Sequence, residues 1–428
     1  MAHSDFQRRG ISGGNVCMAL VAATSAMLLL FAGTSSRAQT LTVLHAFSGQ
    51  GDGDAPSAGL IMDRGGRLYG PTTDGILPGS AFRLADLRSG WVFNTLHNFA
   101  FFDGGGYYPN GKLTFGPDGN LYGVNYSSQQ GSCETGCGVV FKLQPPATAC
   151  AAVSCPWTET VLYSFTGGSD GGNPVGEIAF DSAGNLYGAT EYGGDPSCES
   201  GCGVVYKLTP SAGGWTQSVL HSFGSPATDG ILPSGGVVLD PAGNLYGVTM
   251  SGGAMNEGIA YELSPSNGGW SETILHSFQN LAQYNSPVGT LTRDQAGNLY
   301  GITRGSYYGG SLIFELSQPG TWTYSELQHW GAERAVSPGL VLDSAGNLYG
   351  AVNGTNGSNE GTVFKLQNSN GSWSLITLHS FAESEGVEVN GGLIFDAVGN
   401  IYGTAAFGGD LSCDSYGGGC GTVWEITP

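Results

Sequence analysis

From residue 39 onward the apolar residues fall into short runs, each ended by Gly, Pro, Asn or Asp. Gly176–Asp181 (GEIAFD) is one such run, Ser182–Asn185 is a polar turn, and Leu186–Thr190 is a second run. A long polar loop follows, then Gly203–Thr209 (GVVYKLT), another turn, and Trp215–Phe223 (WTQSVLHSF). These are four segments of strand length, rich in Val, Ile, Phe and Tyr and punctuated by turn formers. No segment after Ala38 sustains a 3.6-residue period, so the pattern predicts an all-β chain almost without helix.

The four-segment unit recurs. Gly-Asn-Leu-Tyr-Gly, or a close variant, occurs at Gly66–Gly70, Gly119–Gly123, Gly184–Gly188, Gly243–Gly247, Gly297–Gly301, Gly346–Gly350 and Gly399–Gly403, with 49 to 65 residues between successive tyrosines. A repeat of that length denotes a propeller, solenoid or array. Four strands in each of seven repeats match a seven-bladed β-propeller of antiparallel blades. The last repeat ends at Gly421–Thr427 (GTVWEIT) and lacks a fourth strand, whereas Leu41–Phe47 (LTVLHAF) has the fourth-strand pattern and precedes any first strand. The N-terminal strand is therefore expected to join the last blade and close the ring; an open solenoid would call for polar caps instead.

Asp181 opens the turn before the third copy, and Asp240, Asp294, Asp343 and Asp396 stand at the same distance from their tyrosines, with Gly116 in that place in the second repeat. An Asp carboxylate accepts N–H bonds within its own turn; the alternative, a calcium loop, calls for several carboxylates. The Gly after each Tyr reads as a close-approach position between neighbouring sheets. The string Gly-Asn-Leu-Tyr-Gly, a loop with Gly193-Gly194, then Gly-Val-Val-Tyr-Lys-Leu resembles the tandem repeat of the bacterial choice-of-anchor, GloVer-repeat proteins, over essentially Leu41 to Pro428. The resemblance implies a secreted propeller-like protein of undefined activity, often fixed to the surface by one of several anchor signals. No such signal follows Pro428, so a soluble product is the expectation.

Residues 1–38 read as a signal peptide: Arg8-Arg9, an apolar stretch from Val16 to Ala32, then Ser36-Arg37-Ala38. Residues 39–428 form the propeller domain. The alternative for the leader is an uncleaved anchor, because its apolar core approaches the length of a short span. The chain carries 14 Lys and Arg against 34 Asp and Glu, a net charge of −20, and phosphate binding needs the opposite sign, so nucleic acid is not an expected partner. Eight cysteines follow the leader as four close pairs: Cys133/Cys137, Cys150/Cys155, Cys198/Cys202 and Cys413/Cys420. An even count in an exported chain predicts disulfides, each stiffening a small loop. Zinc would need four converging ligands, and these pairs lie in different repeats.

Residues that recur in most repeats are assigned to the fold. His45, His97, His221, His276 and His379 share one fourth-strand position, with Tyr163 and Gln328 as substitutes and His329 one step on. They are expected to spread round the rim without converging on a metal. Trp91, Trp157, Trp215, Trp270, Trp322 and Trp373 open fourth strands, while Trp330 and Trp424 replace a repeat Phe; all read as inter-blade core. What remains sits in loops. Strands alternate in direction, so the loops between strands two and three share a face with the connections from one blade to the next, and the long irregular segments fall there. Four consecutive loops on that face contain Asp-Gly, at Asp52 and Asp54, Asp103, Asp170 and Asp229. At the start of the innermost strand, Lys112 and Glu177 replace Gly or Thr and would be neighbours at the channel mouth. Spare aromatics there are Phe101, Phe102, Tyr107, Tyr108, Tyr126, Tyr192, Tyr307, Tyr308 and Phe407.

The departures concentrate in repeats two and three: Asp103, Tyr107, Tyr108, Lys112, Tyr126, Asp170, Glu177 and Tyr192. They predict a binding surface of aromatic platforms and hydrogen-bonding carboxylates. The bland alternative is that Asp-Gly makes turns and the rings pack under loops. The expected function is an exported, non-catalytic module that recognises a glycan or an extracytoplasmic protein as a monomer, with no cofactor, no metal and no membrane insertion once the leader is removed. The alternatives are a glycosidase or polysaccharide lyase using Asp103, Asp170, Glu177, Glu191 or Asp229, and a structural surface protein without ligand.

Overall fold

The computed structural model describes residues 39–427 except 74–77, 88, 102–103, 130, 134–135, 148–154, 280–285, 305–309, 319, 332–333, 355–360 and 414–417. The leader lies outside the described residues, as do Phe102, Asp103, Cys150, Tyr307 and Tyr308. Every regular element described is a strand, and the strands form seven antiparallel sheets arranged in a ring, a seven-bladed β-propeller. Blade 3 is the plainest: Gly172–Phe180, Leu186–Tyr192, Val204–Ser211 and Gly214–Ser222 in order from the channel outward. In blades 2, 4 and 6 the innermost strand is split in two; in blade 2 the pieces are Tyr107–Pro109 and Thr114–Phe115.

The ring closes as the sequence predicts. Thr40–Ala46 runs antiparallel to Thr422–Thr427 as the fourth strand of blade 7, with Leu41 opposite Ile426 and Val43 opposite Trp424. The core lies between blades. One cluster joins Tyr122, Val124 and Val140 of blade 2 to Ile178, Leu186 and Tyr206 of blade 3, and another joins Phe47, Tyr402 and Val423 of blade 7 to Leu60, Leu68 and Phe82 of blade 1. Each repeat Trp reaches the Gly-Asn-Leu-Tyr-Gly tyrosine of the preceding blade: Trp215 lies 6.4 Å from Tyr122, Trp270 6.4 Å from Tyr187 and Trp91 6.1 Å from Tyr402 between ring centres. Large rings in such edge-on pairs each bury a large apolar area between blades.

Two details differ from the sequence reading. The Gly after each Tyr makes room for an aromatic of its own blade: a Cβ on Gly70 would stand 2.8 Å from Phe82, and one on Gly123 2.7 Å from Phe141. The close approach between sheets occurs instead at the channel, where a Cβ on Gly59 would meet the backbone of Gly392 at 2.7 Å and one on Gly176 would collide with Gly236. Seven innermost strands converge there, and only glycine lets the backbones pass so near. Each fourth strand also carries a one-residue bulge, as between His221 and Val219 opposite Val205 and Tyr206. The bulge turns both Leu220 and Phe223 toward the core and leaves the histidine at the rim of the inter-blade seam.

Candidate functional site

The short-turn face is built from one device. In blade 3 the Asp181 carboxylate accepts the N–H groups of Ala183 and Asn185 (2.9 Å each), the Asn185 amide (2.7 Å) and the Tyr187 hydroxyl (3.0 Å). Burial works against ionisation of Asp181, but these donors outweigh it and hold the carboxyl below its ordinary value. Burial, followed by the neighbouring Asp181, pushes the Tyr187 hydroxyl up. Asp240, Asp343 and Asp396 make the same set with their tyrosines, and Asp294 takes the Asn298 N–H, the Asn298 amide and the Tyr300 hydroxyl. In blade 2, where Gly116 takes the first position, Asp118 does the work, accepting from the Tyr122 hydroxyl at 2.8 Å. Donors within the turn occupy these carboxylates, and this fits the turn reading better than a calcium loop.

The opposite face carries the clefts. One of about 740 Å³ lies between blades 2 and 3. Tyr126 and Tyr192 line it, together with Ser132, Asn173, Pro196 and Glu199. Two disulfides flank it, Cys133–Cys137 from blade 2 and Cys198–Cys202 from blade 3. Both sulfur pairs close loops of a few residues, so the walls are stiffened locally. The Tyr126 hydroxyl crosses the seam to donate to Glu191 Oε2 at 2.9 Å. Burial first, then the Glu191 charge, raises its pKa, so the phenol stays neutral.

A second cleft of about 430 Å³ shares Tyr126 and is lined also by Tyr108, Pro109 and Asn110. It shares Ser57, Ala58, Asn110 and Gly111 with the space at the channel, about 210 Å³, where Lys112 and Glu177 face one another at 3.9 Å. Tyr107 packs edge-on between Phe101 (4.8 Å) and Tyr108 (5.1 Å) beside it. Channel, Tyr108 cleft and Tyr126 cleft thus form one run of adjoining hollows over blades 1 to 3.

Of the residues singled out from sequence, Tyr108, Tyr126, Tyr192, Lys112 and Glu177 line these hollows, and Tyr107 supports Tyr108. Asp170 does something else: its carboxylate accepts the Tyr163 hydroxyl (2.9 Å), the Thr166 N–H (3.0 Å) and the Thr166 hydroxyl, tying the fourth strand to the next blade. Asp52 with His45, and Glu385 with His379, repeat that arrangement. Cys413–Cys420 is a disulfide in blade 7, and Cys155 is disulfide-bonded while Cys150 lies outside the described residues.

Two features escaped the sequence reading. Ala55, Tyr108, Asn173, Leu232 and Glu388 hold one repeat position at the entrance to the innermost strand, and all have positive φ between 48° and 60°. Four of them donate their N–H to a carbonyl in the preceding blade's loop, for example Asn173 to Cys137 at 2.7 Å and Leu232 to Cys202 at 2.9 Å. Their backbone geometry is common while their side chains differ, so no residue type announces the position. The second feature is a His–carboxylate cluster. The histidines do stay apart from one another, but carboxylates meet them: His97 Nε2 lies 3.1 Å from Glu159, and His221 Nε2 lies 3.2 Å from Asp229 and 3.8 Å from Glu272. Glu159 and Glu272 stand two residues after the repeat Trp, a position that reaches the preceding blade's histidine.

Residues 128–338 match the family model of the Gloeobacter/Verrucomicrobia repeat. The chain carries this repeat. The match runs from the end of the second strand of blade 2 into blade 6, and blades of the same build complete the ring on either side. None of the curated proteins matches this chain significantly. Among solved structures, a candidate 6-phosphogluconolactonase from Bacteroides fragilis shares 14% identity over 80% of this chain and 95% of its own, with a TM-score of 0.49. The PQQ-bound aldose sugar dehydrogenase of Streptomyces coelicolor shares 14% over 91% and 98%, with a TM-score of 0.43. A mutant of AofleA from Arthrobotrys oligospora shares 13% over 80% and 89%, with a TM-score of 0.41. At these identities and scores no activity is transferred. No helix among the described residues is long and apolar enough to cross a membrane.

Proposed function

We propose that the protein is an exported, non-catalytic binding module whose long-loop face takes an extended glycan across blades 1 to 3. The observation that carries this reading is the row of adjoining hollows, with Tyr108, Tyr126 and Tyr192 along it and disulfide-closed loops as walls. Sugar rings present C–H faces that stack on aromatic rings and hydroxyls that need fixed acceptors and donors. Glu199, Ser132 and Asn173 supply such groups in the larger cleft. Stiff loops reduce the ordering cost of binding. Export agrees with the close-paired cysteines and the leader.

Of the five carboxylates named for a glycosidase, Asp103 lies outside the described residues and the other four are engaged within the fold. Asp170 and the buried Asp229 cap inter-blade turns, Glu191 accepts the Tyr126 hydroxyl, and Glu177 faces Lys112 in the channel. The binding reading therefore accounts for more of the described residues than the enzymatic one.

A glycan array with the purified protein tests the proposal. Replacing Tyr126 and Tyr192 together by Ala is expected to lower affinity for the best-bound glycan at least tenfold, since each stacked ring contributes on the order of 1 kcal/mol. Unchanged affinity in the double variant, or turnover of the glycan, would overturn it.

A further inference from the structure

The seam between blades 3 and 4 holds three groups of metal-ligand type. His221 comes from the fourth strand of blade 3 (Gly214–Ser222), Asp229 from the loop that leads into blade 4, and Glu272 from the fourth strand of blade 4 (Gly269–Ser277). One ligand atom from each lies within 4.8 Å of the other two. Among the described residues this is the single such trio.

Three other seams show what the position does when only packing is required, while the seam between blades 1 and 2 keeps Glu159 at this position, 3.1 Å from His97. At the seam between blades 7 and 1, His45 pairs with Asp52, but Phe93 stands where Glu272 stands and stacks on the imidazole at 4.1 Å. At the seam between blades 4 and 5, His276 stacks on Tyr324 at 4.0 Å. At the seam between blades 2 and 3, Tyr163 replaces the histidine and Gln217 replaces the glutamate, donating to the Asp170 carbonyl at 3.1 Å. The fold therefore accepts an apolar or neutral residue here. Between blades 3 and 4 it has instead a second carboxylate.

That second carboxylate is poorly served by the protein alone. Glu272 Oε1 is buried and accepts no hydrogen bond, and the Asp229 side chain beside it is fully buried. Asp229 takes N–H bonds from Gly224 (3.0 Å) and Gly230 (2.6 Å), which fix its orientation and leave Glu272 Oε1 without a backbone donor. Two carboxylates turned toward one imidazole in a seam call for a cation or for a shared proton. The spacings suit a cation. For His221 with each carboxylate, ligand atoms 3.2 and 3.8 Å apart, each about 2.0–2.2 Å from a common ion, subtend angles of roughly 95–105° and 120–145°, a strongly distorted tetrahedron. The side chains of His221 and Glu272 keep 19% and 15% of their surface exposed, so water can complete the shell.

We propose that His221, Asp229 and Glu272 form a divalent-cation site of the zinc type that staples blade 3 to blade 4. One imidazole nitrogen with two carboxylates favours a borderline ion over the harder calcium or magnesium. An ion there joins two blades through their outermost strands and so stabilises the ring where no backbone ladder crosses.

The test uses variants that import the solutions of other seams. Glu272→Phe copies the stack of Phe93 on His45, and His221→Tyr copies the Tyr163–Asp170 pair; both leave a packing that the fold already uses. Purified protein freed of metal with a chelator is titrated with Zn²⁺, with calorimetry, bound-metal analysis and thermal unfolding as readouts. The expected result is one zinc per chain, a rise in Tm, and at least a tenfold loss of affinity in each variant, while the metal-free variants melt near the metal-free wild type. Ca²⁺ at equal concentration should leave Tm unchanged. Absence of a stoichiometric zinc, zinc affinity unchanged in both variants, or equal binding of Ca²⁺ would overturn the proposal. A trio that responds to pH alone would assign the seam to a shared proton and overturn it as well.

Discussion

The two faces of the propeller are held in different ways, one by turns closed within each blade and the other by bonds from blade to blade. On the short-turn face side chains do the holding: an Asp gathers its own turn's N–H groups, an Asn amide and the Tyr hydroxyl, blade after blade. On the long-loop face a left-handed residue donates its N–H to a carbonyl of the preceding blade, with Ala55, Tyr108, Asn173 or Leu232 serving equally, and carboxylates such as Asp170 add ties beside it. Where side chains hold the fold they are fixed. Where the backbone holds it, side chains are released for other uses, and the clefts with their tyrosines lie on that face.

Both faces depend on the closed ring, so the largest effect should come from opening it. Deleting residues 40–46 removes the fourth strand of blade 7 and exposes the Thr422–Thr427 edge with Trp424 and Ile426 beside it. An unpaired edge with apolar faces invites intermolecular pairing. The truncated protein is expected to elute as aggregate in size-exclusion chromatography and to lose its cooperative thermal transition; a monomer with the wild-type Tm would show that ring closure is dispensable.

Asp181→Ala tests the side-chain-held face. It removes the acceptor for two N–H groups, the Asn185 amide and the Tyr187 hydroxyl together. Water replaces part of that set because the turn is partly exposed, so a loss of about 2 kcal/mol is expected in urea unfolding. The same substitution at Asp343 should cost a similar amount, since its bonds match within a tenth or two of an ångström. Unequal costs would mean that the device is not equivalent from blade to blade.

The fold was legible because it is repeated: seven copies of one pentapeptide average out local ambiguity, and the displaced fourth strand declared closure. The clefts were legible in part, because Tyr108, Tyr126 and Tyr192 break the repeat. Asp170 misled for a physical reason. Asp-Gly reads the same whether its carboxylate faces a ligand or a neighbouring Thr166 N–H, and only the bulged fourth strand, which brings Tyr163 within 2.9 Å, decides. Glu272 was hidden by the opposite error. Comparing histidines among themselves shows them scattered, whereas the group that meets His221 sits in the next blade at a position occupied elsewhere by Phe93 or Tyr324. Positive φ at Tyr108 or Leu232 has no residue-type signature at all.

Acid tests the turn carboxylates in a second way. Asp118, Asp181 and Asp343 are all held below the ordinary aspartate value of 3.8: burial opposes ionisation, and hydrogen bonds from the turn Asn, then the Tyr and backbone, outweigh it. A carboxyl depressed in the folded state stabilises it fully above the unfolded pKa, and that contribution disappears as pH falls through the folded pKa. Tm is therefore expected to hold level above about pH 5 and to fall below about pH 4. In Asp181→Ala the decline should be shallower, with the two curves parallel at higher pH. Identical slopes below pH 4 would remove these turns from the acid response.

The smallest effect should come from the backbone-held face, and its smallness is the point. Glu388 has φ of 54° and is half-buried. A residue with a Cβ is strained there, on the order of 1 kcal/mol, whereas glycine is not. Glycine also adds freedom to the unfolded chain, at a cost of roughly 0.4–1 kcal/mol. The two terms have opposite sign, so Glu388→Gly is expected to change unfolding free energy by less than about 1 kcal/mol. Glu388→Val gains nothing from the unfolded state and adds β-branched crowding at positive φ, so it should destabilise by about 1–2 kcal/mol. Chemical denaturation of the pair reads the difference directly. A large loss with glycine would mean that the Glu388 side chain contributes to blade 7 beyond its backbone conformation.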